Sequence, residues 1–319
     1  MKNKKILITG VLGVLGSPLE KRLLEMGYQV FGIDLFNTDR NYGHKLGDIG
    51  NENYFRCDIS SYRLLEYVFD YVKPDLVYNA AANFGRWCGE MYYEDVWTSN
   101  VIGLKNILRL QEKMGFKLVH FSSSEVYGDY EGIMYEDLLS EKPIPQLNDY
   151  ALSKRVNEQQ IKNSQIQFDT KSVIIRIFNT YSNGEIFSPY RSVNCNFCYN
   201  LLHNRPITVF KGHLRTSTYI DDAIDAIANI PSNFHNGEIY NIASQQLHTI
   251  ETLAELVLQY TGADPNLVKY VDHNEILTTK IKQPCNKKSI RDLGFKETVS
   301  LEEGVRRTVE WMKEYYKIK

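Results

Sequence analysis

Residues 6–17 read ILITGVLGVLGS, an apolar run and then Gly10, Gly13 and Gly16, three apart. Two readings compete for this stretch. The basic MKNKK before it fits the start of a secretory signal, whereas the glycine spacing fits a strand that turns into a helix. Thr9 and the glycines interrupt the run, and the charged segment EKRLLEMGY follows directly. A signal peptide needs a longer unbroken apolar stretch and a small-residue cleavage site. KILIT therefore reads as a buried strand and SPLEKRLLEMG as a helix. Pro18 is tolerated in its first turn, Gly27 ends it, and Leu19 and Leu23 share one face. Glycines at such a junction let the backbone approach a nucleotide pyrophosphate, whose charge the N–H groups and dipole of the helix start favour. Gly10, Gly13, Val14, Leu15 and Gly16 are the expected contacts.

The same alternation continues outward from this unit. YQVFGID, NYFRCDI, DLVYNAAA, KLVHFSSS and KSVIIRIFN read as strands. SYRLLEYVFDYV, EDVWTSNVIGLKNILRLQEKMG (closed by Gly115) and NDYALSKRVNEQQIKNS read as helices between them. The strands are almost continuously apolar, as in parallel strands covered on both faces. The expectation is a doubly wound α/β fold with a Rossmann sheet over residues 1–180 and a smaller C-terminal α/β lobe over 181–319. A strand near 238–243 is expected to return to the sheet. Asp34 ends the second strand, about 20 residues beyond the turn, where a carboxylate accepts from ribose hydroxyls and repels a 2′-phosphate. NAD is thus favoured over NADP, with Arg40 the one nearby residue pointing the other way.

Composition excludes several classes. A net charge of −2 leaves no overall footprint for nucleic acid or an anionic membrane. No apolar run approaches the roughly 20 residues of a membrane-spanning helix. The five cysteines are odd in number and widely scattered, which argues for reduced thiols in a cytoplasmic protein rather than a disulfide framework. Cys195 and Cys198 form a lone CxxC with only His203 close by; two small apolar residues on a helix are expected there, and no metal site.

YALSK places Tyr150 and Lys154 four apart on one helix face. An ammonium near a phenol lowers its pKa, and an oxidised nicotinamide adds a second positive charge, so the tyrosinate can take a hydroxyl proton as hydride leaves the same carbon. A second YxxxK, Tyr315 and Lys319, lies at the chain end and is given no role. Ser122, Ser123 and Ser124 leave the C-terminal end of the fifth strand, where open α/β sheets build their sites. A serine there can bond a substrate hydroxyl, and Glu125 can serve as a base.

The motifs TGxxGxxG, Asp34, CDI, NAAA, SSSEVYG, YALSK, RIFNTY, LRTSTYIDDAIDAI, YNIAS and SLEEGVRRTVEW occur in the order of the extended short-chain dehydrogenase/reductase family, which the chain resembles over nearly its full length. The resemblance implies an NAD-dependent nucleotide-sugar epimerase, dehydratase or decarboxylase. It implies that Ser123, Tyr150 and Lys154 are catalytic. It places Asp58 and Ile59 beside the adenine and Ala80, Ala81 and Ala82 under the cofactor. It puts Arg86, Ser124, Asn179, Asn196 and Arg215 around a nucleotide-diphosphate sugar, with Arg215 clamping the pyrophosphate. A surface ion pair of Arg215 with Asp221 or Asp222 is the alternative. Homodimers paired through two long helices, here EDVWTSNVIGLKNILRLQ and the Tyr150 helix, are also implied.

All three reactions begin with loss of the O4 proton and of hydride from C4. Glutamate at position 125 resembles the base of a 4,6-dehydratase, which removes the acidified C5 proton before water leaves C6. Ser124 departs from the aspartate of dTDP-glucose dehydratases, and the Ser–Glu pair is shared with decarboxylases. In KIKQPCN, Lys282 stands where many relatives carry arginine, and it is expected to bind the substrate in that arginine's place. The expectation is a 4,6-dehydratase, with decarboxylase or 4-epimerase as the alternative and a non-catalytic NAD-binding regulator as a remote one. An intact Ser123, Tyr150 and Lys154 argues against the last.

Overall fold

The computed structural model describes residues 4–36 and 51–318; Arg40 lies outside them. Seven strands form the central sheet among the described residues: β1 (Lys5–Thr9), β2 (Gln29–Asp34), β3 (Tyr54–Arg56), β4 (Leu76–Asn79), β5 (Lys117–Ser123), β6 (Ser172–Ile177) and β7 (Ile239–Ile242). All are parallel, in the order β7-β6-β5-β4-β1-β2-β3. The winding reverses between β1 and β4, where Ile6 pairs with Leu76 and Thr9 with Asn79. Ligands of open α/β sheets bind at such a switch point, beyond the carboxyl ends of the strands.

Helices cover both faces, which is why the strands are apolar throughout. On one face Ile6, Ile8, Val119 and Val173 join a core with Leu19 and Leu23 of α1 (Gly16–Glu25). On the other, Leu7, Val77 and Leu118 meet Leu65, Val68 and Phe69 of α2 (Tyr62–Val72) and Leu104, Ile107 and Leu108 of α3 (Gly103–Met114). Gly27 and Gly115 have positive φ at the ends of α1 and α3, as helix-closing glycines do.

One expected helix is not continuous. EDVWTSNVIGLKNILRLQEKMG divides into an α-turn over Tyr93–Val96, a π-helical turn over Trp97–Ile102, and α3. The wider turn lets the buried Asn100 reach inward: its Oδ1 accepts from Asn83 N–H (2.9 Å) and its Nδ2 donates to Asn83 O and Ser153 Oγ (both 3.0 Å). Ser153 lies on α4 (Asp149–Phe168), which runs on past Ser164.

The C-terminal part adds α5 (Val193–Leu202), α6 (Ile220–Ala228), α7 (Ile250–Thr261) and α8 (Leu301–Tyr316). Leu214–Thr216 pairs antiparallel with Leu247–Thr249, and Ile207–Phe210 parallel with Val268–Val271. The short strand Gln283–Pro284 pairs with Ile133–Met134, which carries Lys282 back across the chain toward the end of β5. Cys195 and Cys198 are buried free thiols on α5, and His203 stacks on Tyr199. Among the described residues no group of His, Cys, Asp or Glu can hold a metal ion, and no helix is long and apolar enough to cross a membrane.

Candidate active site

The glycine turn is built by contact. A Cβ on Gly16 would lie 2.1 Å from Gly10 O, and one on Gly10, whose φ is +73°, would lie 2.7 Å from Ala81 N. These two glycines close the turn against its own backbone and against the end of β4. A Cβ on Gly13 would meet only Gly10 O, at 3.1 Å. Leu15, at the start of α1, offers no side-chain cap, and the first turn holds no acid, so the helix start suits a phosphate as its anion. Asp34 is held at the turn: Oδ2 accepts from Leu12 N–H (2.9 Å) and Oδ1 from Leu35 N–H (2.7 Å). Burial pushes its carboxyl up and these N–H groups offset that only in part. Asp58 Oδ1 accepts from Ser60 N–H (2.8 Å), and Asn106 donates to Ile59 O (3.0 Å), anchoring that turn to α3. Ala80 N–H and Ala81 N–H donate to Thr9 O (3.1 Å) and Thr9 Oγ1 (3.4 Å), which sets the Ala80–Ala82 stretch alongside β1. The close-packed glycine turn, the uncapped helix start and the Asp34 carboxylate fit a dinucleotide.

Ser123 ends β5 and caps the 3-10 turn Ser124–Tyr127, its Oγ accepting from Glu125 N–H at 3.2 Å. The same serine shares a side-chain hydrogen bond with Tyr150. Tyr150 and Lys154 project from the first turns of α4, whose start is capped by Asn148: Oδ1 accepts from Ala151 N–H at 2.7 Å. Lys154 is buried; its Nζ donates to Phe121 O at 2.8 Å and lies 5.9 Å from the centre of the Tyr150 ring. Burial pushes the ammonium down to about 8, against the pull of Glu158. The expected lowering of the phenol is not a property of the protein alone. Burial pushes Tyr150 up to about 12, with the Ser123 bond lowering it and the charge of Glu125 raising it. The lysine lies over the ring, 5.9 Å from its centre, and a bound oxidised nicotinamide would supply a further positive charge to bring the phenol down.

Glu125 is the centre of a second group. Its Oε1 pairs with Lys282 Nζ at 2.5 Å. Burial pushes its carboxyl up, but Lys282, Arg86 and Arg215 together outweigh that and hold it below its ordinary value. Burial in turn pushes Lys282 down to about 8 and Arg215 down to about 10, against the attraction of Glu125. Arg86 Nη2 pairs with Glu275 at 2.9 Å while its buried Nη1 has no hydrogen-bond partner among the described residues. Arg215 turns onto the backbone instead of Asp221 or Asp222: it donates to Leu214 O, Thr279 O and Lys280 O, each at 2.8 Å.

Electrostatics thus link Ser123, Glu125, Tyr150, Arg86, Arg215 and Lys282, with Lys154 over the Tyr150 ring. Asn179, at the end of β6, has φ +37° and donates to Thr216 O (3.1 Å), next to Arg215. Asn196 bonds Arg191 O and Ser192 O at the start of α5, and no hydrogen bond among the described residues joins it to the cluster. Ser124 is buried beside Glu125. Three contributors escape the sequence reading: Glu275, Asn148 (whose Nδ2 also donates to Leu277 O, 3.0 Å) and the buried Asn100. The N-cap pattern before YALSK carries a signal for Asn148; nothing local marks Glu275.

The fold and site can be set beside known proteins. The chain is 28% identical to UDP-glucuronic acid decarboxylase 1 of Danio rerio, over 97% of this chain and 72% of that protein. It is 25% identical to dTDP-D-glucose 4,6-dehydratase of Homo sapiens, over 98% and 91%. An epimerase structure from Methanothermobacter thermautotrophicus superposes with a TM-score of 0.87, covering 99% of this chain and 94% of that one; at 24% identity it speaks to the fold alone. The family model described as NAD dependent epimerase/dehydratase matches residues 6–243. With that match running from the first strand of the sheet to just past its last, the chain belongs to the NAD-dependent epimerase/dehydratase family.

Proposed function

We propose that the protein is an NAD-dependent 4,6-dehydratase of a nucleotide-diphosphate sugar, working through a transient 4-keto sugar. The observation that carries this reading is an ionised carboxylate, Glu125, held beside the Tyr150 phenol by a buried cation. Bound NAD supplies the acceptor for the C4 hydride and later its donor. Gly10, Gly13, Val14, Leu15 and Gly16 take its pyrophosphate, Asp34 its ribose, Asp58 and Ile59 its adenine, with Ala80–Ala82 alongside. Tyr150 takes the O4 proton, Ser123 orients the hydroxyl and Lys154 adds positive charge. The keto group acidifies C5–H, and Glu125 removes that proton. Asn179, Asn196, Ser124, Arg86 and Arg215 face the sugar nucleotide. For Arg215 to clamp its pyrophosphate, the guanidinium exchanges the carbonyls of Thr279 and Lys280 for phosphate oxygens, which are stronger, charge-assisted acceptors.

A second reading, decarboxylation of a nucleotide uronate, is favoured by charge. Three cations, Arg86, Arg215 and Lys282, face two carboxylates, Glu125 and Glu275, and the surplus suits a C6 carboxylate. Incubation with UDP-glucose, dTDP-glucose and UDP-glucuronic acid separates the readings by mass. Loss of water supports the dehydratase, loss of carbon dioxide the decarboxylase, and conversion without mass change a 4-epimerase. Tyr150→Phe should lower kcat about 100-fold or more while NAD stays bound; an unchanged kcat would remove the phenol from the mechanism.

A further inference from the structure

Eliminating water across C5–C6 takes two proton transfers. A base removes the C5 proton, and hydroxide, a poor leaving group, must be protonated as it departs from C6. Tyr150 is engaged at O4. Ser124, next to the base, carries only a hydroxyl. Arg86 and Arg215 stay charged and do not release protons at neutral pH. Lys154 is turned away onto Phe121 O at 2.8 Å. Among the described residues of this cluster that leaves Lys282: it touches Glu125 at 2.5 Å, its side chain is 2% exposed, and the pairing of Gln283–Pro284 with Ile133–Met134 sets its position.

Resting on the dehydratase reading above, we propose that Lys282 is the acid that protonates the departing C6 hydroxyl, paired with Glu125 as the base. The C5–H bond breaks, its proton goes to Glu125, and its electron pair forms the C5–C6 double bond. The C6–O bond breaks, and the oxygen leaves with the C6–O electron pair and a proton from Lys282, as water. The ion pair becomes a neutral acid beside a neutral amine, so neither partner is left as an uncompensated buried charge. Burial, which already pushes the lysine down to about 8, favours its neutral form. As the hydride returns to C6, Glu125 gives its proton back to C5, and the proton taken by Tyr150 returns to Lys282 through solvent.

The test uses leaving groups. Wild type, Lys282→Met and Lys282→Gln are given UDP-glucose and dTDP-glucose and the 6-deoxy-6-fluoro analogue of each. Fluoride needs no proton to leave. Reduced-nicotinamide absorbance on mixing confirms that each variant still folds and oxidises C4. Water loss from the hydroxyl sugar should fall about 100-fold or more in both variants, with fluoride release from the analogue staying within about tenfold of wild type. Equal slowing of both leaving groups would make Lys282 a positioning residue and overturn the proposal. A wild type that forms reduced nicotinamide yet releases neither water nor fluoride would instead overturn the dehydratase reading, and the proposal with it.

Discussion

At the residue scale, Lys154 carries a charge that its burial opposes. It is protonated below about 8 and neutral above, well short of an ordinary lysine. In the proposed mechanism that charge assists Tyr150, so kcat/KM for the sugar should fall as pH rises through that value. Lys282 titrates in the same range, with Glu125, Arg86 and Arg215 facing it. Lys282→Arg, which stays charged, should therefore keep the Lys154 limb of the profile. A profile flat to about pH 10 in both proteins would show that neither ammonium matters. YALSK marked the Tyr150–Lys154 pair because a four-residue spacing on a helix is local. The direction of the Tyr150 shift was not legible, because burial depends on what packs over the ring.

At the element scale, β5, β6 and α4 are tied beneath the site by one buried network. Arg176 holds Glu158 through two bonds of 2.9 Å and also donates to Tyr127 Oη and Glu136 O (both 2.8 Å); Ser122 Oγ donates to Glu158 Oε1 (2.7 Å). Removing one partner of a buried pair strands the other, so Glu158→Gln should cost about 3–5 kcal/mol in a denaturant titration. It should also shift the Lys154 limb toward acid, since Glu158 favours the charged lysine. The glycine turn permits a second comparison. Gly16→Ala drives a methyl into Gly10 O, whereas at Gly13 the contact is only tight. Gly16→Ala should lose about 1–3 kcal/mol and NAD affinity, with Gly13→Ala the less destabilised of the two by thermal melting. The motif spacing announced three glycines; which of them the backbone itself requires depends on how the turn closes on β4.

At the scale of the whole molecule, large apolar side chains stay exposed on adjoining elements: Met91 and Tyr93 (62% and 53%), Ile102 (51%) and Leu152 (41%). We propose that a second copy covers this face; of its residues, Ile102 and Leu152 lie on the two helices that the family resemblance singled out. Sedimentation should show a dimer that Ile102→Lys with Leu152→Lys converts to monomer; a monomeric wild type would refute the pairing. The alternation of apolar runs and amphipathic helices, the glycine turn, Asp34 and YALSK were enough to specify a doubly wound sheet and its cofactor, because each signal lies within one strand–turn–helix unit and obeys short-range stereochemistry. The surroundings of Glu125 were decided only by tertiary structure. Arg86, Arg215 and Lys282 reach it from three separate segments, with Glu275 behind Arg86, and no local pattern records a charge's distance from groups that chain folding alone brings together.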